Sequence, residues 1–310
     1  MILCGIVIRS VGGLFTVALD EEYNGKRTID AHAKGAFKHD KITLLAGDRV
    51  EVDINQNDEP YISAIKPRKN SLIRPPLANL DVLFVVISCV KPAPVLETVD
   101  KLICIAEAKG IEPVIVITKS DLDMDFAEQT AITYRKSGFD VFITSSENGE
   151  GRDELLSYIA SRGNDTVFAF SGASGAGKST FINKLFPTLS LETGDLSHKL
   201  ERGKNTTRKT ELFALSSLIG EAHGGYLADT PGFSLIDFER FDFFELDELF
   251  DTFREFRASD GKCRYTKCSH TKEQGCDIIA RVRDGEIPKS RHDSYVSLYE
   301  ILKSKPRWKK

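Results

Sequence analysis

The alternation of apolar and polar residues predicts a small β-barrel at the start of the chain. Up to residue 67, short apolar runs are divided by Gly, Asn and Asp turns, and no helical period is present. The predicted strands are residues 2–8, 14–19, 42–45, 49–54 and 61–65. A five-stranded barrel of this size predicts an OB-fold. Because its basic and acidic residues balance, a barrel with a purely structural role is a second interpretation.

The pattern changes after residue 67 and predicts an α/β domain over residues 68–236. Continuous apolar runs at 82–87 and 113–117 are typical of strands that are buried on both faces of a parallel sheet. Helical spacing follows in the segments between such runs. The further predicted strands are 140–143, 166–170, 211–215 and 226–228, and the predicted helices are 98–108, 126–137 and 151–160. Residues 191–210 have no period and predict a mobile loop.

The last segment, residues 237–310, predicts a third and mostly α-helical domain with a basic tail. Five apolar residues are spaced as one helical face: Leu246, Leu249, Phe250, Phe253 and Phe256. Trp308 lies among lysines and arginine, where it could stack on an RNA base, and a solubilising tail is the alternative. The predicted fold is therefore multidomain: barrel, α/β domain and α-helical domain.

Composition limits the class of protein without choosing a partner. The formal net charge of −4 is small and argues neither for nor against nucleic acid as a binding partner. Residues 1–8 are apolar but follow no Lys or Arg, so they predict a strand and not a signal peptide. No apolar run reaches the roughly 18 residues of a membrane span. Cys4, Cys89 and Cys104 stand singly in apolar segments, which predicts buried free thiols. The other three cysteines have the spacing of a metal site more than that of a disulfide framework, which predicts a reducing, cytoplasmic compartment.

A glycine-rich turn with a lysine and a serine predicts a phosphate-binding loop at residues 171–180. It has the pattern G-x-x-x-x-G-K-S between an apolar strand and a helix. Backbone N–H groups would surround the phosphates, Lys178 would reach the β- and γ-phosphates, and Ser179 would bind Mg²⁺. The predicted nucleotide contacts are Gly172, Ala173, Ser174, Gly175, Ala176, Gly177, Lys178, Ser179 and Thr180. A structural Gly-rich turn is the weaker interpretation.

Two short motifs predict a guanine-reading site. The run Thr118, Lys119, Ser120 and Asp121 follows a predicted strand, and Ser145 and Ser146 follow the next one. The Asp121 carboxylate can accept two hydrogen bonds from guanine, and adenine lacks that donor pair, so GTP is favoured over ATP. Lys119 would pack along the base. The two serines would offer a backbone N–H to the guanine oxygen.

The switch motifs come last in the chain. Asp229 ends a predicted strand and could hold Mg²⁺ through water, and the Gly232 N–H could bond the γ-phosphate. The hydroxyl of Thr206 or Thr207 could reach the metal. The base-reading motif precedes the phosphate loop, the reverse of the order in small GTPases. A circularly permuted GTPase domain accounts for this order, because the termini of compact domains often lie close together.

Three cysteines and a histidine near the C-terminus predict a metal site. Their spacing is Cys263-x₄-Cys268-x-His270-x₅-Cys276. Three thiolates and one imidazole form a closed tetrahedral set that suits structural Zn²⁺ and offers no catalytic position. Solitary cysteines beside a surface histidine are the alternative interpretation.

These motifs resemble the ribosome small-subunit-dependent GTPase A family (RsgA, also called YjeQ or YloQ). Residues 68–75 with 78–81 are similar to the family's linker, and residues 193–197 with 203–207 are similar to its first switch. The metal cluster completes a resemblance that covers nearly the whole chain. It implies an OB domain at 1–67, a permuted GTPase domain at 68–236 and a zinc domain at 237–310. It also implies late maturation of the 30S subunit, binding to 16S rRNA, and hydrolysis of GTP to GDP that the subunit stimulates. We expect a monomer with no membrane partner.

Two positions depart from what GTPases usually carry near the attacking water. Asn205 stands where the family usually has a histidine, and Phe233 follows Gly232 where many small GTPases have glutamine. Asparagine can hydrogen-bond water but is not a base at neutral pH, so slow intrinsic hydrolysis is predicted. Two other functions stay open here. One is a GTP-occupied RNA-binding scaffold with negligible hydrolysis. The other is an ATP-dependent RNA remodeller, which Asp121 argues against.

Overall fold

The computed structural model describes residues 1–35, 37, 43–55, 59–73, 75–90, 94–173, 176–189, 210–220, 223–229 and 244–305. The chain divides into two compact units. The first consists of Met1–Val82, Ala160–Phe170 and Phe186–Phe233, and the second of Leu83–Ile159, Ser171–Leu185 and Ser234–Lys310. The three domain ranges predicted above stay a prediction.

The N-terminal strands form a closed barrel. They are β1 (Ile2–Val11), β2 (Leu14–Tyr23), β3 (Lys26–Ala33), β4 (Arg49–Ile54) and β5 (Pro60–Ile65), joined in the order β1-β2-β3-β5-β4. The pair β3–β5 is parallel, and the other ladders are antiparallel. Small and branched side chains fill the interior: Val7, Val17, Ala31, Val50, Val52 and Ile62. This five-stranded closed topology confirms the OB-fold prediction.

The third strand of the barrel differs from the prediction. Residues 43–45 form no strand, and residue 42 lies outside the described part of the chain. The third strand is Lys26–Ala33, whose exposed and buried positions alternate from Ile29 onward. Asn24 and Gly25 precede it with φ of 51° and 74°, the left-handed geometry of a tight hairpin turn. The Asn-Gly pair was the signal for this hairpin, and the polar outward face of β3 concealed it.

The segment after the barrel is tied to the barrel by hydrogen bonds. It contains two short antiparallel strands, β6 (Ser71–Leu72) and β7 (Leu77–Ala78). The Arg68 guanidinium donates to both oxygens of the fully buried Asp48 carboxylate, at 2.6 and 2.8 Å. The Asn79 side chain donates to the Gly47 carbonyl at 2.8 Å. The predicted linker is therefore an ordered connection in its described residues.

The middle of the chain forms one six-stranded sheet. Its strands are β8 (Val82–Ser88), β9 (Glu112–Thr118), β10 (Val141–Ile143), β11 (Val167–Gly172), β12 (Glu211–Ala214) and β13 (Tyr226–Asp229), in the order β10-β9-β8-β11-β13-β12. The pairs β9–β10 and β11–β13 are parallel, whereas β12–β13 is antiparallel. The helices are α1 (Leu96–Ala108), α2 (Met124–Lys136), α3 (Arg152–Ala160), α4 (Lys178–Leu185) and α5 (Leu215–Ile219). The α/β prediction is confirmed.

The predicted single helix over residues 246–256 is wrong. Three 3₁₀ turns occupy this stretch, Leu246–Glu248, Phe250–Thr252 and Arg254–Ser259. Phe253 has φ −107° and ψ 98°, an extended conformation that interrupts a helix. Threonine and phenylalanine also have low helix propensity, and burial of the aromatic side chains decides the backbone path. Two helices follow, α6 (Asp277–Arg283) and α7 (Lys289–Ser304), and the predicted RNA-stacking residue Trp308 lies outside the described residues.

A buried ion cluster joins α1 to the C-terminal helices within the second compact unit. Arg291 donates to Asp100 at 2.6 Å and to Glu255 at 2.7 Å, and all three side chains are at most 2% exposed. Cys104 is buried beside them, and burial raises the pKa of its thiol to about 12. Cys89 is also a buried free thiol as predicted, whereas Cys4 is half-buried. Across the described residues, no helix has the length and apolar character needed to span a bilayer.

Candidate nucleotide and metal sites

The phosphate loop lies between a buried strand and a helix, as the sequence predicts. Strand β11 ends at Gly172, and α4 begins at Lys178. Ser179 and Thr180 are in the first turn of α4, where unpaired backbone N–H groups and the helix dipole favour a phosphate. Gly172, Ala173, Ala176 and Gly177 are all placed in this connection. Ser174 and Gly175 lie outside the described residues.

The phosphate loop and the base-reading turn are in contact. Gly177 has a φ of 77°, and a Cβ built on it would lie 3.4 Å from Cε of Lys119. Lys119 has a φ of 62°, which is uncommon for a residue with a side chain and indicates a locally constrained turn. The end of the Lys119 side chain therefore lies beside Gly177 of the phosphate loop.

Hydrogen bonds fix the base-reading turn against the neighbouring strands. Strand β9 ends at Thr118, whose hydroxyl donates to the Ile87 carbonyl at 3.3 Å. Ser120 is buried, and its hydroxyl donates to the Glu150 carboxylate at 2.8 Å. Asp121 is exposed and is the middle residue of the 3₁₀ turn Ser120–Leu122. A carboxylate presented in this way can accept hydrogen bonds from a base.

The two serines after β10 have different environments. The Ser145 hydroxyl donates to the Asp121 carboxylate, and its N–H donates to the Glu150 carbonyl at 3.1 Å. The Ser145 N–H already has an acceptor. If a backbone N–H contacts the guanine oxygen, we therefore expect it to be that of Ser146. Ser145 instead orients Asp121. The sequence could not separate these roles, since they depend on the hydrogen bond between the Ser145 N–H and the Glu150 carbonyl five residues later.

Among the predicted switch residues, Asp229 alone falls within the described chain. It is the last residue of β13, it is half-buried, and β13 runs parallel to β11. Asp229 thus lies at the C-terminal end of a parallel strand, which is where ligands of open α/β sheets bind. Asn205, Thr206, Thr207, Gly232 and Phe233 lie outside the described residues, as does most of the predicted loop at 191–210.

The four predicted metal ligands converge at one point. The ligand atoms of Cys263, Cys268, His270 and Cys276 all lie within 4.8 Å of one another. The His270 Nδ1 is 3.5 Å from Sγ of Cys263 and 3.5 Å from Sγ of Cys276, and those sulfurs are 3.9 Å apart. A tetrahedral zinc with ordinary bond lengths requires about 3.6 Å between N and S and about 3.8 Å between sulfurs. The three separations among Cys263, His270 and Cys276 therefore fit a tetrahedral zinc, and Cys268 lies within reach as the fourth ligand.

Neighbouring groups hold this cluster in shape. The Glu273 carboxylate accepts hydrogen bonds from the Ser269 N–H at 2.8 Å and from the N–H groups of Thr271 and Lys272 at 3.1 Å. Burial opposes its charge, yet hydrogen bonds from Ser269 and the following backbone lower the pKa of Glu273 to about 2. Burial also lowers the pKa of His270, which favours the neutral imidazole that binds metals.

The order of the motifs along the sheet defines a class of protein. With the base-reading motif upstream of the phosphate loop and Asp229 downstream, the α/β domain is a circularly permuted GTPase. The protein-family model described as RsgA GTPase matches residues 65–239, and the family model described as RsgA N-terminal domain matches residues 4–62. The chain belongs to the RsgA GTPase family.

Relatives match over almost the whole chain. A protein named small ribosomal subunit biogenesis GTPase RsgA from Bacillus subtilis is 37% identical, with coverage of 98% of this chain and 99% of that protein. The protein of the same name from Geobacillus kaustophilus is 40% identical at the same coverage. The crystal structure of YloQ, a circularly permuted GTPase, has a TM-score of 0.76 at 33% identity and covers 99% of this chain and 98% of that one. YjeQ from Thermotoga maritima gives 0.79 at 28% identity and covers 99% and 100%.

Sequence patterns did not reveal several residues that shape these sites. Glu150 contacts Ser120 of the base-reading turn, and Lys184 contacts Ser146 in the loop after β10. Glu273 and His292 contact the segment that carries the metal ligands (the metal loop, residues 263–276). None of them belongs to a short motif. The glycines of the Gly149–Gly151 turn, with φ of 78° and 69°, are the local signal for a tight loop after β10 that contains Glu150.

Proposed function

We propose that this GTPase acts in late maturation of the small ribosomal subunit, with GTP bound by the phosphate loop and the base-reading turn. The proximity of Lys119 to Gly177 supports the nucleotide-binding part of the proposal, because the predicted base-reading turn and the predicted phosphate loop are neighbours within one compact unit. The names of the curated relatives support the ribosomal role. Family membership favours a hydrolysing enzyme over the scaffold and over the ATP-dependent remodeller.

Guanine recognition is assigned to one carboxylate and one peptide. Asp121 accepts from the ring N1–H and the exocyclic amine, and the Ser146 N–H donates to the guanine oxygen. Thr118 and Ser120 anchor the turn through their hydrogen bonds, and the stem of Lys119 packs along the base. An adenine base would leave the Asp121 carboxylate without its two donors, which disfavours ATP.

Phosphate and Mg²⁺ binding are assigned to the loop, to α4 and to the switch residues. Lys178 holds the β- and γ-phosphates within the cradle of residues 172–180. We assign the Mg²⁺ shell to Ser179, Asp229 and either Thr206 or Thr207 on the sequence pattern, and the γ-phosphate contact to the Gly232 N–H. Mg²⁺ neutralises charge that develops on the phosphates. Asn205 orients the attacking water without removing its proton.

The metal cluster is assigned a structural role. Zn²⁺ held by Cys263, Cys268, His270 and Cys276 would cross-link the loop before α6, and the closed ligand set leaves no position for substrate. Exposed basic residues surround this loop: Lys262, Arg264, Lys267 and Lys272. The Arg264 guanidinium lies over the Tyr265 ring at 5.6 Å. A cationic surface with an aromatic side chain suits contact with 16S rRNA.

The remaining assignments concern organisation. We propose the OB, GTPase and zinc domains at residues 1–67, 68–236 and 237–310, in a monomeric cytoplasmic protein. The partner is the 30S subunit, and the barrel and the zinc domain both contact rRNA.

Binding to the subunit can be tested by sedimentation. The full chain is mixed with purified small subunits and either a non-hydrolysable GTP analogue or GDP, and pelleted protein is quantified. We expect the GTP analogue to retain the chain on the subunit and GDP to release it. Equal, weak recovery in both states would refute the ribosomal role while leaving nucleotide binding in place.

A further inference from the structure

A lysine in the last turn of α4 contacts the loop between β10 and α3, residues 144–151. This loop would face the base and is called the base loop below. The Lys184 Nζ donates to the Ser146 carbonyl at 3.1 Å and to the Glu147 carboxylate at 2.8 Å. Because α4 begins at Lys178 and Ser179, one short helix holds the phosphate-binding residues at its start and touches the base loop near its end.

The contact continues through hydrogen bonds to the base-reading carboxylate. Lys184 binds the oxygen of the peptide between Ser146 and Glu147, and the N–H of the same peptide donates to the Ser145 hydroxyl at 3.1 Å. The Ser145 hydroxyl in turn donates a hydrogen bond to the Asp121 carboxylate. Both ends of this peptide are therefore fixed, which directs the serine proton toward Asp121 and away from other acceptors.

A second cation binds the helix at the other end of the same loop. Arg152, the first residue of α3, donates to the Leu185 carbonyl at 3.4 Å. The loop between Ser146 and Arg152 is thus connected to the end of α4 on both sides. Residues of α4, the base loop and the base-reading turn all belong to the same compact unit.

We propose that Lys184 is a positioning residue for guanine recognition. It fixes the Ser146–Glu147 peptide and, through Ser145, the Asp121 carboxylate at a set distance from the phosphate loop. This inference rests on the proposed function, since it requires Asp121 to read the base. Lys184 is 46% exposed and Glu147 is 74% exposed, so their ion pair adds little stability in water. The effect of Lys184 is on the geometry of the base contacts.

The test compares binding of GDP and IDP, because IDP lacks the exocyclic amine that Asp121 would accept from. In the full-length Lys184→Met variant we expect GDP affinity to fall about three- to tenfold, which is the range of one ordinary intramolecular hydrogen bond. IDP affinity should fall less, so that the preference for GDP over IDP shrinks. Lys184→Arg should restore the preference, since a guanidinium can donate to the same carbonyl.

Three further variants separate the possible explanations. Lys289→Met removes a lysine from an exposed pair with Asp293 and should change neither affinity. Glu147→Gln should keep the GDP preference, because the carbonyl contact survives. Asp121→Asn should abolish the preference, and if it does not, the proposed base site itself fails. Equal losses of GDP and IDP in Lys184→Met, with the Asp121→Asn effect intact, would overturn the role of Lys184 alone. Melting of the nucleotide-free variants checks that each is folded.

Discussion

Removal of the Arg291 side chain should destabilise the chain far more than removal of any exposed arginine. Arg291 is fully buried and makes three hydrogen bonds, at 2.6 Å to Asp100 and at 2.7 and 3.3 Å to Glu255. Its guanidinium also lies 4.5 Å from the centre of the Phe253 ring. Burial opposes its charge, yet Asp100 and Glu255 hold the pKa of Arg291 well above its usual value.

The expected cost follows from what the substitution leaves behind. Arg291→Met would leave two carboxylates buried without their cation, and breaking such a pair costs about 3–5 kcal/mol. The Tyr134 hydroxyl, which donates to Asp100 at 3.0 Å, cannot compensate for a full charge. For a unit of this size, the loss corresponds to a fall in melting temperature on the order of 10 °C.

Urea-induced unfolding of the full chain, followed by tyrosine fluorescence and circular dichroism, measures this cost. Arg283→Met is the matched control, since Arg283 pairs with Asp284 at 77% exposure and should cost less than about 0.5 kcal/mol. Replacing Arg291, Asp100, Glu255 and Tyr134 together by Met, Leu, Met and Phe should recover most of the stability. A loss below about 1 kcal/mol for Arg291→Met would show that the two carboxylates do not need their buried cation.

Nucleotide binding, GTP hydrolysis and metal binding can each be tested by a single substitution or by direct analysis of the metal. Asp121→Asn should weaken GDP about tenfold or more and strengthen xanthosine diphosphate, measured by titration with fluorescent nucleotides, and an unchanged preference would contradict the base assignment. Asn205→His should raise the single-turnover rate of GTP hydrolysis without subunits about tenfold or more, because it adds a general base, and an unchanged rate would place water activation elsewhere. Elemental analysis should find one zinc per chain, and chelation should expose the thiols to a thiol reagent. Glu273→Gln should weaken zinc retention about 10–100-fold in competition with a metal indicator, with Glu286→Gln as the exposed control.

Local patterns predicted the parts of the site that lie within single turns. The phosphate loop and Asp121 each follow a strand and Asp229 ends one, so a short stretch of sequence is enough to predict where along the chain they lie. The spacing of apolar residues before the metal loop predicts a helix where the structure has 3₁₀ turns, because this spacing does not distinguish the two when burial of aromatic side chains determines the backbone path.

Contacts between distant segments could not be predicted from the sequence. Arg291 and Asp100 are separated by 191 residues, and Lys184 and Ser146 by 38. An isolated Arg or Lys on a helix is ordinarily a solvated residue, so nothing in its neighbours indicates burial or a partner. Such pairs become visible only when the fold brings the elements together.

Control of GTP hydrolysis by the small ribosomal subunit is the property on which the proposed function depends. It can be measured as the steady-state rate of GTP hydrolysis by the full chain, titrated with purified small subunits and compared with large subunits. We expect slow turnover by the chain alone, because Asn205 and Phe233 supply no general base, and a saturable increase with small subunits only. A fast rate without subunits, or no increase at saturating small subunits, would contradict the proposed function.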